Sequence, residues 1–441
     1  MSARSALILM ACALPLCGCE TYRPEPLSAT PDLARAPRLT VPAASLGLPG
    51  LPPEPFDPVL GLTETNVITL AVVGNPQLKA ERLRAGIARA QLLEAGLLPD
   101  PQLSGGMSWS SVRTGYDAAI GADIRALVTR GAARRAAAAH GRQVSLEILW
   151  QEWQVAGRAR ALYAEVGALD ALRGVLDQRR RLLGRLARRE MASLARGDVT
   201  AADITADLDA WRGAEADWRS FELEDNTARH ALDELLGLEP GVRLHLRAES
   251  APQRPLPDAS YHAALASLVD RRPDLLALQA GYRSADETLR EAILAQFPLV
   301  SAGVAKARSA EEGVQTVGFN VTLTLPLFNR NRGAIAAGRA TRAYLHQSYQ
   351  ARLDEARSQA DQVRIAAVIM SRQLSELEAR LPGLERAAAA AKESLGRGEL
   401  GLAAYARVES NSLAAQAEVI RLRVSLEQAQ AALGLLLALP F

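Results

Sequence analysis

The chain has 441 residues, of which 49% are hydrophobic and 23% charged, and this composition excludes a wholly disordered protein. The 51 Lys and Arg residues nearly balance the 49 Asp and Glu residues, so the net charge of +2 leaves no electrostatic footprint for nucleic acid. Aromatic residues make up only 4%, and Ala, Leu, Arg and Glu dominate, as is typical of long helices. The composition therefore disfavours an all-β protein and a doubly wound sheet.

All three cysteines, Cys12, Cys17 and Cys19, lie within the first nineteen residues. A short charged start and an apolar run precede them, which predicts a cleaved signal peptide over residues 1–18. The stretch from Leu16 to Cys19 resembles the bacterial lipobox, which implies that Cys19 becomes the new N-terminus and carries covalent lipid, including palmitate. The alternative is an ordinary secretory signal with a chance cysteine. Residues 19–62 are rich in Pro, Ala and Leu and predict an extended, non-helical tether.

The remaining chain consists of two similar halves, within which two stretches match. At an offset of 197 residues the match runs from Asn75, over Arg272, to Gly106, over Gly303, and a second match at an offset of 201 places Arg196-Gly197-Asp198-Val199 over Arg397-Gly398-Glu399-Leu400. Self-similarity over this length predicts a tandem duplication. We therefore expect a first structural repeat at 63–240, a linker at 241–258 and a second repeat at 259–441.

Each repeat is predicted to contain a helix, two short strands and a long helical hairpin. The first helices are expected at about 63–97 and 259–296, and the strands at about 102–112, 117–126, 299–306 and 317–326. The strand prediction depends on strict alternation, in which Val317, Phe319, Val321, Leu323 and Leu325 fall on one face.

The hairpins are predicted from long proline-free stretches with narrow apolar seams. Residues 131–195 are expected to form one helix of roughly 100 Å, and the chain returns as a helix over about 200–238. The seam residues are spaced three or four apart, which favours coiled-coil packing; they are Leu162, Val166, Leu169, Leu172 and Leu176 in the first half and Met370, Leu374, Leu377, Leu381 and Leu384 in the second. Pro382 is expected to kink its helix.

Four strands cannot close a barrel, and an open sheet leaves unpaired edges. Strands of about ten residues with one apolar and one small polar face fit the wall of a lipid-spanning barrel. Closure therefore demands several copies of the chain. The side chains expected to line the lumen of such a barrel are Asp123, Arg125, Asn320, Thr322 and Thr324.

The sequence resembles the TolC-like outer-membrane efflux proteins from about residue 63 to 439. The duplication, the paired Arg-Gly-acidic turns and the strand-end motif from Leu325 to Gly333 carry this resemblance. It implies a homotrimer with a 12-stranded barrel over an α-helical barrel, in the bacterial outer membrane and extending into the periplasm. It further implies docking of a periplasmic adaptor at the two turns. The Phe328-Asn329-Arg330-Asn331 stretch is most similar to the heavy-metal branch, which works with resistance-nodulation-division (RND) pumps.

The residues predicted to form the adaptor-docking tip are Arg196, Gly197, Asp198, Val199, Arg397, Gly398, Glu399 and Leu400. A simpler interpretation is that each turn consists of a C-cap glycine and an acidic N-cap. Both interpretations place these residues at a helical turn.

The sequence contains no arrangement that predicts an enzyme, a metal site or a cofactor. The five histidines are isolated from ligands at suitable spacing, and there is no phosphate loop or nucleophile elbow. The predicted function is a passive efflux channel, favouring metal ions with drugs as a further possibility. The alternatives are a type I secretion duct and a structural coiled-coil lipoprotein without a channel.

Overall fold

The computed structural model of the chain describes residues 21–38, 55–57, 59–111, 113–247 and 256–440. The predicted signal peptide and Cys19 lie outside these residues, as do part of the predicted tether and linker and the strand-end residue Val112. The chain divides into two units, Met1–Ala34 and Arg35–Phe441. In the first unit, residues 21–34 contain no helix, and the Ser28 hydroxyl donates a hydrogen bond to the carbonyl of Thr30 at 3.1 Å.

The described part of the second unit is mainly helical with one four-stranded sheet, as the sequence predicts. Its elements in chain order are α1 (Glu64–Gly74), α2 (Pro76–Gly96), β1 (Gln102–Trp109), β2 (Thr114–Asp123), α3 (Ile124–Arg196), α4 (Ala201–Leu236), α5 (Asp258–Ala266), α6 (Leu268–Arg271), α7 (Pro273–Leu294), β3 (Leu299–Arg308), β4 (Gln315–Thr324), α8 (Arg332–Gly396) and α9 (Leu402–Leu436).

The helix predicted over 63–97 is in fact two helices, because Asn75 ends α1 and begins α2. Its side-chain oxygen accepts a hydrogen bond from the amide of Leu78 at 2.9 Å, and Pro76 occupies the first helical position, where a missing N–H costs nothing. The helix predicted over 259–296 is interrupted in the same way at Arg272, before Pro273, and also at Ser267.

The sheet has the order β1-β2-β3-β4, and all its neighbouring strands are antiparallel. Strands β2 and β3 are therefore internal, while β1 and β4 form the edges. Strand β2 begins and ends three residues earlier than predicted, because the Asp123 side chain caps α3 by accepting a hydrogen bond from the amide of Arg125 at 2.8 Å. Arg125, predicted as a strand residue, therefore lies in the first turn of α3, and that placement was wrong.

The long helices match the seam prediction closely in the first half and only partly in the second. At 73 residues α3 is about 110 Å long, and Leu162, Val166, Leu169, Leu172 and Leu176 all belong to the main core cluster. Of the five predicted seam residues in α8, only Leu374 is buried, and Leu384 is 36% exposed. The hydrogen-bonded helix continues through Pro382, so the expected kink stays a prediction.

Among the residues that the structure describes, no helix combines the length and the apolar character needed to cross a membrane.

Candidate functional site

The two faces of the sheet follow from its register, because directly paired residues in neighbouring strands project to the same side. Phe319 pairs with Val304, which pairs with Ile120, which pairs with Leu103. One residue further along, Asn320 pairs with Gly303 and Gly303 with Gly121. We call the side of Phe319 the apolar face and the side of Asn320 the polar face.

The apolar face presents large hydrophobic side chains that are 50% to 80% exposed, an unusual arrangement in water. These side chains are Leu103, Met107, Trp109, Ile120, Val304, Val317, Phe319, Val321 and Leu323. From Val317 to Leu325 the apolar residues extend over about 27 Å along the strand. With a tilt of about 40° this length spans about 21 Å across the membrane, close to the roughly 25 Å apolar band of outer-membrane barrels.

The polar face contains small and polar side chains, and it includes four of the five residues predicted to line a lumen. Its members by register are Gln102, Ser104, Gly106, Ser108, Gly115, Asp117, Ala119, Gly121, Asp123, Ser301, Gly303, Ala305, Ala307, Thr316, Gly318, Asn320, Thr322 and Thr324. Asp117 was missed by the sequence analysis, although its alternation with Ala118 marks it as facing away from the apolar side.

Alanine at Gly303 should destabilise the sheet by about 1–3 kcal/mol, because an added Cβ would lie 2.6 Å from the backbone carbonyl oxygen of Ile120. The same substitution at Gly318, on the same face, would meet no atom within 4 Å. Thermal unfolding of the purified variants checks this prediction. Equal midpoints for Gly303→Ala and Gly318→Ala would contradict it.

All four connections between sheet and helices lie at one end of the sheet, and both hairpin loops lie at the other. The two loops contact each other. The Ser110 hydroxyl donates to the carbonyl of Ala310 at 2.9 Å, and the Arg113 guanidinium donates to the carbonyl of Glu312 at 3.2 Å. The loop end of the sheet is thereby held together across the two halves of the chain.

The predicted tip residues do form the two turns between long helices. Gly197 and Gly398 have φ values of 80° and 76°, a left-handed conformation that glycine adopts without strain. Asp198 and Glu399 are not N-caps, and that interpretation was wrong. Thr200 caps α4 in a capping box with Asp203, and Gly401 precedes α9.

The acidic residues of the turns instead pair with the arginines beside them. Arg196 contacts Asp198 at 2.8 Å, and Arg397 contacts Glu399 at 2.9 Å. All four side chains are more than half exposed, so each pair contributes little to stability. Val199 and Leu400 are half-buried beside them.

Near the tips an ionic cluster joins the two hairpins. Arg407 on α9 donates two hydrogen bonds, at 2.8 and 2.7 Å, to the two carboxylate oxygens of Asp207 on α4. The Asp207 side chain is only 3% exposed, whereas that of Arg407 is 58% exposed, and the two parallel hydrogen bonds distinguish this pair from the surface pairs at the turns. Glu190 on α3 lies next to the pair. We call Glu190, Asp207 and Arg407 the hairpin latch.

The two carboxyl groups of the latch have opposite pKa shifts. Burial, a hydrogen bond with Asp207 and the negative charge of Asp207 raise the pKa of Glu190 to about 7. The hydrogen bonds from Arg407 lower the pKa of Asp207 below its usual value. Below about pH 7 the cluster therefore holds a proton on Glu190 and a negative charge on Asp207.

Glu190→Gln should flatten the dependence of stability on pH. Since folding raises the pKa of Glu190 from 4.5 to about 7, its contribution to stability is fully present below pH 4.5 and is lost as pH rises through 7. Glutamine keeps a hydrogen-bond donor but does not titrate. As pH rises from 5 to 8, the free energy of unfolding of the variant should therefore increase relative to that of the wild type by on the order of 1 kcal/mol. Unfolding midpoints across this range measure the gain. Glu393→Gln, which removes an exposed carboxylate, is the control. If the stability of Glu190→Gln depended on pH as that of the wild type does, the raised pKa of Glu190 would be refuted.

Within the described ranges, no group of three or more His, Cys, Asp or Glu side chains could hold a metal ion.

Comparison with known proteins shows similarity in structure where sequence comparison finds none. No protein-family model matches the chain, and no curated protein matches it. The outer membrane channel CmeC of Campylobacter jejuni superposes with a TM-score of 0.70 at 15% identity, covering 85% of each chain. CusC, whose crystal structures concern transmembrane channel formation, superposes with a TM-score of 0.66 at 17% identity, covering 94% of this chain and 100% of CusC.

A third similar structure is the outer membrane protein VceC of Vibrio cholerae, with a TM-score of 0.66 at 18% identity over 86% of this chain and 96% of VceC. At such low identities the likeness establishes the fold. The resemblance inferred from the sequence is thus confirmed in three dimensions: the chain has the fold of the TolC-like outer-membrane efflux channels.

Proposed function

We propose that the chain is the outer-membrane channel of a tripartite efflux system, and that it conducts substrates passively. The observation that carries this proposal is the two-faced sheet attached to long helical hairpins. The sheet has strands of eight to ten residues, and its exposed apolar face has no partner among the residues that the structure describes; lipid is the partner that such a face fits. A coiled-coil spacer in water would have no use for such a face.

Both edges of the sheet lack a partner strand among the described residues, and this supports closure by further copies. Three copies with four strands each give a 12-stranded barrel, and the helical hairpins would form a helical barrel below it. In this homotrimer the hairpin loops face the exterior, and the helices extend into the periplasm.

The proposed tandem duplication is supported by two equivalent contacts, one in each half. Asn75 donates from its side-chain nitrogen to the carbonyl of Leu235, near the end of α4. Arg272 donates to the carbonyl of Leu436, at the end of α9. Asn75 and Arg272 both precede a proline, and each fastens the start of one helix to the end of another.

At the opposite end from the sheet, we propose that the exposed turns at Gly197 and Gly398 dock a periplasmic adaptor, which in turn contacts an inner-membrane RND-type pump. Each turn lies at the end of a helix of 65 or 73 residues that comes from the sheet, and Val199 and Leu400 supply apolar contact area. Acylation of Cys19 would anchor the chain in the outer membrane. The Phe328-Asn329-Arg330-Asn331 stretch favours metal ions over drugs as the exported substrates, through its similarity to the heavy-metal branch.

The proposal is tested by single-channel conductance of the purified protein in planar bilayers, together with the mass of the detergent-solubilised complex. A trimeric mass and discrete conductance steps are expected. A monomer that shows no conductance and dissolves without detergent after Cys19→Ser would refute the channel and leave a structural lipoprotein.

If the tip is closed, the wild-type trimer shows no conductance. The conductance of the Arg407→Ala variant, which lacks the cation of the hairpin latch, is therefore recorded in parallel. A stable trimer of this variant that never conducts would also refute the proposal.

A further inference from the structure

Charged residues of the sheet are separated by sign between its two faces. The charged residues on the polar face are Asp117 and Asp123, whereas the charged residues on the apolar face are Lys306 and Arg308. The sequence has 51 Lys and Arg residues, but its lysines are only Lys79, Lys306 and Lys392. A lysine on the apolar face of a strand is thus an exceptional placement in this chain.

Lys306 and Arg308 lie where the apolar residues of β3 and β4 end, while on β1 Met107 and Trp109 continue the apolar face toward the loops. Lys306 pairs with Val317, the last apolar residue of β4 toward the loops, and Arg308 pairs with Gln315 beyond it. A basic side chain at the middle of a bilayer costs about 2–4 kcal/mol, but one at the interface costs about 0–1 kcal/mol. This position therefore allows both charges to extend from the hydrocarbon into the headgroup layer.

The two cations have neutral hydrogen-bonding neighbours on the same face. In the register, Arg308 stands between Tyr116 on β2 and Gln315 on β4. Lys306 lies two residues before Arg308 on the same side of β3, about 6.8 Å away along the strand. An ammonium, a guanidinium, a phenol and an amide thus occupy two adjacent rows of the sheet.

Both basic side chains are exposed. Neither forms an ion pair or a side-chain hydrogen bond with any of the residues that the structure describes. The nearest acidic residues in the sequence are Glu311 and Glu312, in the loop, where their backbone amides bind the Ser309 hydroxyl. Two uncompensated positive charges with additional donors suit an anion with several acceptor oxygens, and phosphate is such an anion.

We infer that Lys306 and Arg308, with Tyr116 and Gln315, bind the phosphate monoester headgroup of a lipid. A lipid fits better than free phosphate, because the next rows toward the helices contain Val304, Phe319 and other exposed apolar side chains that acyl chains would cover. This inference rests on the proposed function, since it places the apolar face against the membrane.

The test uses the full-length purified protein in detergent micelles and measures binding of phosphatidic acid, which carries a phosphate monoester, against phosphatidylcholine and inorganic phosphate. Phosphatidic acid should bind the wild type most tightly. The double variant Lys306→Gln/Arg308→Gln should bind it about 10- to 30-fold more weakly, because each basic residue near an anionic lipid surface contributes to the attraction. Lys392→Gln, at an exposed helical lysine, should bind like the wild type.

Equal binding of phosphatidic acid by the wild type and the double variant would overturn the inference, and so would inorganic phosphate that binds as tightly as the lipid. Flotation of both proteins with phosphatidylcholine vesicles separates this failure from failure of the channel proposal. If both proteins insert but neither prefers phosphatidic acid, only the headgroup site is wrong. If neither inserts, the membrane placement itself is wrong.

Discussion

Replacing Arg272 with alanine is expected to lower the free energy of unfolding by about 2–4 kcal/mol, because it deletes a large buried side chain together with its hydrogen bonds. The Arg272 side chain is fully buried. Its guanidinium donates to Asp274 at 2.8 Å and to the carbonyl of Leu436 at 3.1 Å, and it lies 4.7 Å from the ring centroid of Trp150. The substitution would leave a cavity where the end of α9 meets the start of α7, and the carbonyl of Leu436 would lose this donor, whereas Asp274 would keep its ion pair with Arg352 at 2.7 Å.

Arg271→Ala is the matched control for this prediction. Arg271 is the adjacent residue and also donates to a backbone carbonyl, that of Ala438 at 2.8 Å, but it is exposed. Its loss should cost no more than about 1 kcal/mol. Denaturant unfolding of both variants measures the difference, and equal losses would show that burial of Arg272 contributes nothing.

The second large effect is expected from Arg407→Ala, which removes the cation of the hairpin latch. Asp207 would then remain nearly buried without a counterion, beside the carboxyl group of Glu190. We expect a loss of about 2–4 kcal/mol. Because the Arg407 pair connects α9 to α4 near the tips, the variant should also open more often, with more frequent conductance events in planar bilayers.

Arg423→Ala provides the control on the same helix. Arg423 contacts Glu378 at 2.6 Å, but both side chains are near half exposed, at 51% and 43%. A surface pair of this kind contributes about 0–1 kcal/mol. If Arg407→Ala and Arg423→Ala changed stability and opening frequency equally, the latch would have no special role.

The sequence predicted the architecture well where periodicity was strong. Strand β4 was located within two residues, because Val317, Phe319, Val321 and Leu323 alternate strictly with small polar residues. Strand β2 was displaced by three residues, since the alternation continues through Ile124 and only the cap by Asp123 ends it. That cap depends on a local hydrogen bond that the hydrophobic pattern does not report.

The candidate site was less predictable, since it depends on pairing between distant segments. Glu190, Asp207 and Arg407 come from three helices, and no sequence motif connects them. The position of Lys306 and Arg308 where the apolar residues of β4 end could not be predicted either, because it depends on the register in which β3 pairs with β4. One signal was available and overlooked: Thr200 and Asp203 have the spacing of a capping box, which correctly identifies the start of α4.

The central claim is that one face of the sheet contacts lipid and the other lines water, and single-cysteine labelling tests it most directly. The sequence has no cysteine after Cys19, so a thiol introduced into the sheet would be the only reactive one once residues 1–18 are removed and Cys19 is acylated. Phe319→Cys and Asn320→Cys place thiols at adjacent positions on opposite faces.

In intact trimers reconstituted into vesicles, a charged, membrane-impermeant thiol reagent should label Asn320→Cys rapidly and Phe319→Cys hardly at all. The alternation should repeat at Val321→Cys and Thr322→Cys. Equal labelling at all four positions would contradict the account, because it would mean that both faces of the sheet contact water.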